Sequence, residues 1–157
     1  MKILLLDEDE MSFEVLSEVA SLSDSEVVLF KTVEEAKNYI SNNKDFHAVI
    51  ALPKLGNIPS LQILAMMKKD PDLKNIPFMI ISHSPTQEEI KYYKAIGVVE
   101  VFEIPFNPLE VFLIITNYLK DVKGEEEVRA ILQETKKEKS VFQKILEFIN
   151  KLFGRGK

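Results

Sequence analysis

At 157 residues, 46% hydrophobic and 29% charged, the chain has the size and balance of one globular domain with an appendage, away from the disordered, fibrous and disulfide-stapled classes. It has no cysteine, which excludes disulfides, thiolate metal sites and a cysteine nucleophile and makes the cytoplasm the default expectation. The net charge of −5 is uneven: from residue 123 onward nine Lys and Arg stand against six Glu, and before it eleven against nineteen acids, so the acidic body argues against nucleic-acid contact while the tail is basic.

The opening Met1-Lys2-Ile3-Leu4-Leu5-Leu6 is too short for a signal-peptide core or a membrane span and predicts a first strand over 2–6. A helix is expected over 12–21 and a strand over 26–30. Thr32 and Glu35 then form a capping box that opens a helix over 33–41. A strand over 48–52, a helix over 60–69, a strand over 78–82, a helix over 86–96 and a strand over 98–103 follow. Asn107-Pro108, a good cap before a proline at the first helical position, opens a helix over 108–122. Short Val/Ile/Leu runs alternating with helical stretches are the pattern of βαβ units, whose strands are covered on both faces. The expected body, 1–122, is therefore a flavodoxin-like, doubly wound, five-stranded parallel sheet, with residues 123–157 as a C-terminal helical extension. Its ligands would sit at the carboxyl ends of the strands.

The first strand ends in Asp7-Glu8-Asp9-Glu10. Two carboxylates held close repel each other unless a hard cation bridges them, although such a run is just as readily a solvated acidic loop. The two histidines, His47 and His83, have no paired ligand spacing and read as ordinary surface or strand-edge residues. None of the five glycines is spaced as a nucleotide cradle, so an ATPase or dehydrogenase has no support.

Leu4-Leu5-Leu6-Asp7-Glu8-Asp9, Phe46-His47-Ala48-Val49-Ile50-Ala51-Leu52, Pro77-Phe78-Met79-Ile80-Ile81-Ser82 and Glu103-Ile104-Pro105-Phe106-Asn107-Pro108 together resemble a CheY-like response-regulator receiver domain. The resemblance implies an acidic pair at Asp7 and Glu8, a hydroxyl at Ser82, and a proline and aromatic at Pro105 and Phe106. It also implies an acceptor aspartate where this chain has Leu52, a lysine where it has Ile104, and a switching aromatic where it has Val101. Phosphoryl transfer to a carboxylate needs the nucleophile first and charge stabilisation second, and leucine offers neither. A lysine left without its aspartate would be an uncompensated buried charge, so loss of both is self-consistent. Asp7, Glu8 and Ser82 remain as a vestigial pocket. With one of the usual three carboxylates missing, Asp7 and Glu8 are expected to hold Mg²⁺ weakly, and no other cofactor or catalytic set is expected.

In the extension, a charged connector leads to Ser140 and Gln143, a capping box for a helix over 141–153 stopped by Gly154. Val141, Phe142, Ile145, Leu146, Phe148, Ile149, Leu152 and Phe153 fall on one broad face. Its burial is worth on the order of 10 kcal/mol at ~1.5–3 per large side chain, so this helix is expected to dock: on the chain's own body or a second copy, in a partner's groove, or on a membrane surface beside Lys144, Lys151, Arg155 and Lys157.

The expectation is a non-enzymatic pseudo-receiver: a phosphorylation-independent adaptor in bacterial two-component-type signalling, whose partner is another signalling protein or a second copy. Its contact surface would be the fourth helix, fifth strand and fifth helix, with Tyr92, Tyr93 and Lys94 as candidate contacts. The alternatives are a phosphoacceptor using a displaced acid such as Asp9, or Ser82, and a scaffold tethered to a membrane by the terminal helix.

Overall fold

The computed structural model describes residues 1–123. In chain order they form β1 (Lys2–Leu6), α1 (Met11–Ala20), β2 (Glu26–Phe30), α2 (Val33–Asn42), β3 (Ala48–Ala51), β4 (Lys54–Leu55), β5 (Ile58–Pro59), α3 (Leu61–Lys68), β6 (Phe78–Ser82), α4 (Gln87–Ala95), β7 (Glu100–Glu103) and α5 (Pro108–Lys123). The main sheet has the order β2-β1-β3-β6-β7 and every pairing in it is parallel. Leaving out the small β4–β5 hairpin, this is the doubly wound arrangement expected from the alternation of strands and helices.

Because side chains along a strand alternate between faces, each central strand supplies two cores. Ile3, Leu5, Ala48, Ile50, Met79 and Ile81 pack with Leu16 and Val19 of α1 and Val111, Ile115 and Leu119 of α5. Leu4, Leu6, Val49, Ala51, Phe78 and Ile80 pack on the other side with Ala36 and Ile40 of α2, Ile63 and Met67 of α3, and Tyr93 of α4. β3 is buried along its whole length, whereas the edge strands β2 and β7 mix buried, intermediate and exposed positions.

The third strand ends at Ala51, one residue short of expectation. Leu52 still donates its N–H to the Leu6 carbonyl at 3.0 Å, but Pro53 has no N–H with which to continue the ladder. The fifth strand of the main sheet begins at Glu100 rather than at residue 98. Gly97, at φ +113°, lies beyond the end of α4. Val98 N–H bonds the Tyr93 carbonyl at 2.9 Å and Gly97 N–H that of Lys94 at 3.3 Å. That is the Schellman pattern, with glycine in the left-handed position and Val98 and Tyr93 sharing one core.

The capping box expected at Thr32 is half formed. The Thr32 hydroxyl accepts Glu35 N–H at 3.1 Å, but the Glu35 carboxylate accepts that hydroxyl at 3.0 Å instead of the Thr32 N–H. A full box stands at Thr86 and Glu89, with bonds of 2.9 and 3.1 Å. Asn107 caps α5 as expected, accepting Leu109 N–H at 2.9 Å. The β4–β5 hairpin was not expected; Gly56, at φ +61°, takes the first central position of its turn, where only glycine is unstrained. The helix predicted over 141–153, with its docking residues Phe142, Ile145, Leu146, Phe148, Ile149, Leu152 and Phe153, lies outside the described residues.

Candidate functional site at the carboxyl edge of the sheet

Three backbone bonds carry the ladder one residue past the strand ends and set the site residues side by side. Asp7 N–H donates to the Phe30 carbonyl at 3.1 Å, Leu52 N–H to Leu6 at 3.0 Å, and Ile104 N–H to Ser82 at 2.9 Å. Asp7, Leu52, Ser82 and Ile104 thus share the carboxyl edge of β1, β3, β6 and β7.

Asp7 is only 4% exposed. Burial pushes its carboxyl above the ordinary aspartate value, while hydrogen bonds from Asp9 N–H, at 3.2 Å, and from Ser12 pull the other way. The Glu8 carboxylate, on the exposed side of the loop, accepts Gly56 N–H at 3.1 Å. Asp9 in turn accepts Met11 N–H at 3.0 Å, holding the loop against the start of α1.

Leu52 is half-buried and packs against both hydrophobic cores. Its carbonyl accepts the hydroxyl of Ser60, a residue 0% exposed that also donates to the Pro53 carbonyl at 3.1 Å. Ser60 therefore fixes the turn after β3. The sequence reading placed it only as a helix start, because nothing local says where a buried hydroxyl points. Ile104 packs on the α1/α5 side and Val101 on the other. The Ile104-Pro105 peptide is cis. Ile104, Pro105 and Phe106 face Met11, Ser12 and Val15 of α1 across a groove of about 80 Å³.

The donor set does not suit Mg²⁺. The Asp7 and Glu8 carboxylates are each engaged by a backbone N–H, the neighbouring edge position holds the aliphatic Leu52, and among the described residues no group of three or more His, Asp or Glu stands placed to hold a metal ion. His47 accepts Lys2 N–H on Nδ1 at 2.9 Å, at the opposite edge of the sheet, and His83 is exposed. At that opposite edge Lys2 bonds Asp45 at 2.6 Å and the Tyr39 hydroxyl at 3.2 Å. Of the candidate contact residues on α4, Tyr92 is 57% exposed, Lys94 pairs with Glu100 at 3.2 Å, and Tyr93 is 7% exposed within the core. Tyr93 is thus corrected from contact to core.

The five parallel strands and their flanking helices have the CheY-like flavodoxin fold of receiver domains. The chain is similar to a putative response regulator from Chloroflexus aurantiacus (22% identity, TM-score 0.65, 75% of this chain and 96% of that one). It is likewise similar to the non-phosphorylated HemR receiver domain from Leptospira biflexa (24%, TM-score 0.64, 75% and 93%). A third similar structure is the receiver domain of the Francisella response regulator 1452 (17%, TM-score 0.67, 78% and 98%). No family model and no curated protein matches the chain.

Proposed function

We infer that this chain is a pseudo-receiver, an adaptor in two-component-type signalling that works by binding and not by aspartyl phosphorylation. The observation that carries the reading is Leu52: at the end of the strand where a receiver's acceptor carboxylate would stand, an aliphatic side chain packs into both cores. Ile104 removes the cation that would balance an acyl phosphate, and Asp7 and Glu8 are turned to backbone partners. What remains is a scaffold that presents surfaces. The exposed positions of α4, among them Tyr92 and Lys94, which pairs with Glu100, are the contact surface proposed for another signalling protein or a second copy. No helix among the described residues is long and apolar enough to cross a membrane.

The test is incubation of the full chain with a small-molecule phosphodonor, read by intact mass. No added phosphate is expected, with an active receiver domain labelled in parallel. A stoichiometric gain of one phosphate, mapped to Asp9 or Ser82, would overturn the reading in favour of a displaced acceptor.

A further inference from the structure

We propose that His47 is a pH-operated latch on the amino edge of the sheet: as a neutral ring it ties the start of β1 to the start of β3, and on protonation it lets go and turns to the carboxylates of the adjoining cavity. His47 directly precedes β3 and meets Lys2, the first residue of β1, twice. Its backbone N–H donates to the Lys2 carbonyl at 2.8 Å, and its ring Nδ1 accepts the Lys2 N–H at 2.9 Å. The register between the two strands begins one residue later, at Ile3 and Ala48, so the ring stands in for a rung of the ladder at its open end.

That bond exists in one protonation state only. A backbone N–H can donate but never accept, so Nδ1 carries no proton and the hydrogen of the neutral ring sits on Nε2. A second proton, taken up in the range where imidazole ordinarily titrates, sets two donors face to face across 2.9 Å. The contact is then repulsive, and the ring has to leave it.

The structure also offers the released ring a place to go. His47 lines a cavity of about 350 Å³ together with Met1, Lys2, Asp24, Ser25, Glu26 and Asp45. Three carboxylates, from the turn before β2, from β2 itself and from the loop before β3, face this space against two cations, the Lys2 ammonium and the Met1 amino group. Lys2 is committed to Asp45 at 2.6 Å and stands 3.6 Å from Glu26, with the Tyr39 hydroxyl of α2 at 3.2 Å. Lys44, on the same loop as Asp45, is turned away to Asp70 and Asp72 at 3.0 and 3.1 Å. An imidazolium is thus the third positive charge that balances the cavity, and the open volume gives its ring room to rotate.

The test is NMR on the full-length chain labelled with nitrogen-15, titrated from about pH 8 to about pH 5 across the imidazole range. At the upper end the ring nitrogen shifts of His47 should place the proton on Nε2. On acidification the Lys2 amide should titrate together with the His47 ring and lose protection from exchange severalfold after correction for its intrinsic rate. His47→Asn keeps an acceptor near the position of Nδ1 but cannot titrate, and in it Lys2 protection should stay level. His83→Asn removes the other, exposed imidazole and should leave the wild-type response intact. A neutral ring protonated on Nδ1, a Lys2 amide that does not respond, or an equal response in His47→Asn would each overturn the proposal. So would loss of protection spread over all the core strands, which is general acid unfolding and not a latch.

Discussion

The Glu8 carboxylate accepts the backbone N–H of Gly56 at 3.1 Å, tying the loop after β1 directly to the tip of the β4–β5 hairpin. One charge-assisted hydrogen bond thus joins the two loops. Glu8→Ala is expected to speed amide exchange at Gly56 while costing no more than about 1 kcal/mol of global stability, because the bond is exposed. Glu8→Gln, which keeps an acceptor, should retain most of the protection. Unchanged exchange at Gly56 in the alanine variant would mean that the hairpin holds itself.

Leu52→Asp restores the carboxylate that the resemblance calls for, at a position packed against both cores. It removes that packing and sets a second acid beside buried Asp7, so an expected loss of about 2–5 kcal/mol should appear in urea unfolding at neutral pH. The loss should shrink in acid, where the new carboxyl is protonated. A variant as stable as the parent would show that Leu52 contributes shape and little energy.

The buried Ser60 hydroxyl serves the Leu52 and Pro53 carbonyls. Ser60→Ala should cost about 1–2 kcal/mol, because the half-buried Leu52 carbonyl loses this donor while the Pro53 carbonyl keeps the Ser60 backbone N–H at 3.0 Å. Thermal unfolding measures it, and Ser60→Gly should be worse, since it adds backbone freedom to the same loss.

Asp7 is expected to weaken the fold at neutral pH. Its folded carboxyl is held above the ordinary value of 3.8 by burial, so as pH rises from acid the unfolded chain gives up this proton first and stability falls through that window. Asp7→Asn removes the penalty while keeping an acceptor for Asp9 N–H. The variant's gain in unfolding free energy should be absent at strongly acid pH, grow across the window and level off by neutrality. The opposite slope would show that the hydrogen bonds from Asp9 and Ser12 outweigh burial.

Gly97 sits at φ +113°, and a Cβ there would lie 3.0 Å from Lys68 Cε. Gly97→Ala should destabilise by about 1–3 kcal/mol, mostly through backbone strain, because the lysine end can move aside. Adding Lys68→Ala should therefore recover little of the loss. Full recovery in the double variant would assign the cost to the clash instead.

The sequence by itself determined the layering of this protein. Ile3 and Leu5 against Leu4 and Leu6, and Ile50 against Val49 and Ala51, divide between two cores because strand side chains alternate and each helix brings its own apolar stripe; both signals are local. The aliphatic character of Leu52, Val101 and Ile104 is likewise a matter of residue identity. Element ends were less so: β3 stops at Ala51 and β7 starts at Glu100, where Pro53 and the Gly97 turn interrupt the pairing. Only the tertiary structure decided that Glu8 bonds a residue 48 positions away, that the Ser60 hydroxyl turns inward to the Leu52 carbonyl, and that Tyr93 is core while its neighbour Tyr92 is not. Each of those depends on where a distant segment comes to rest, and neither propensity nor periodicity within a window carries that information.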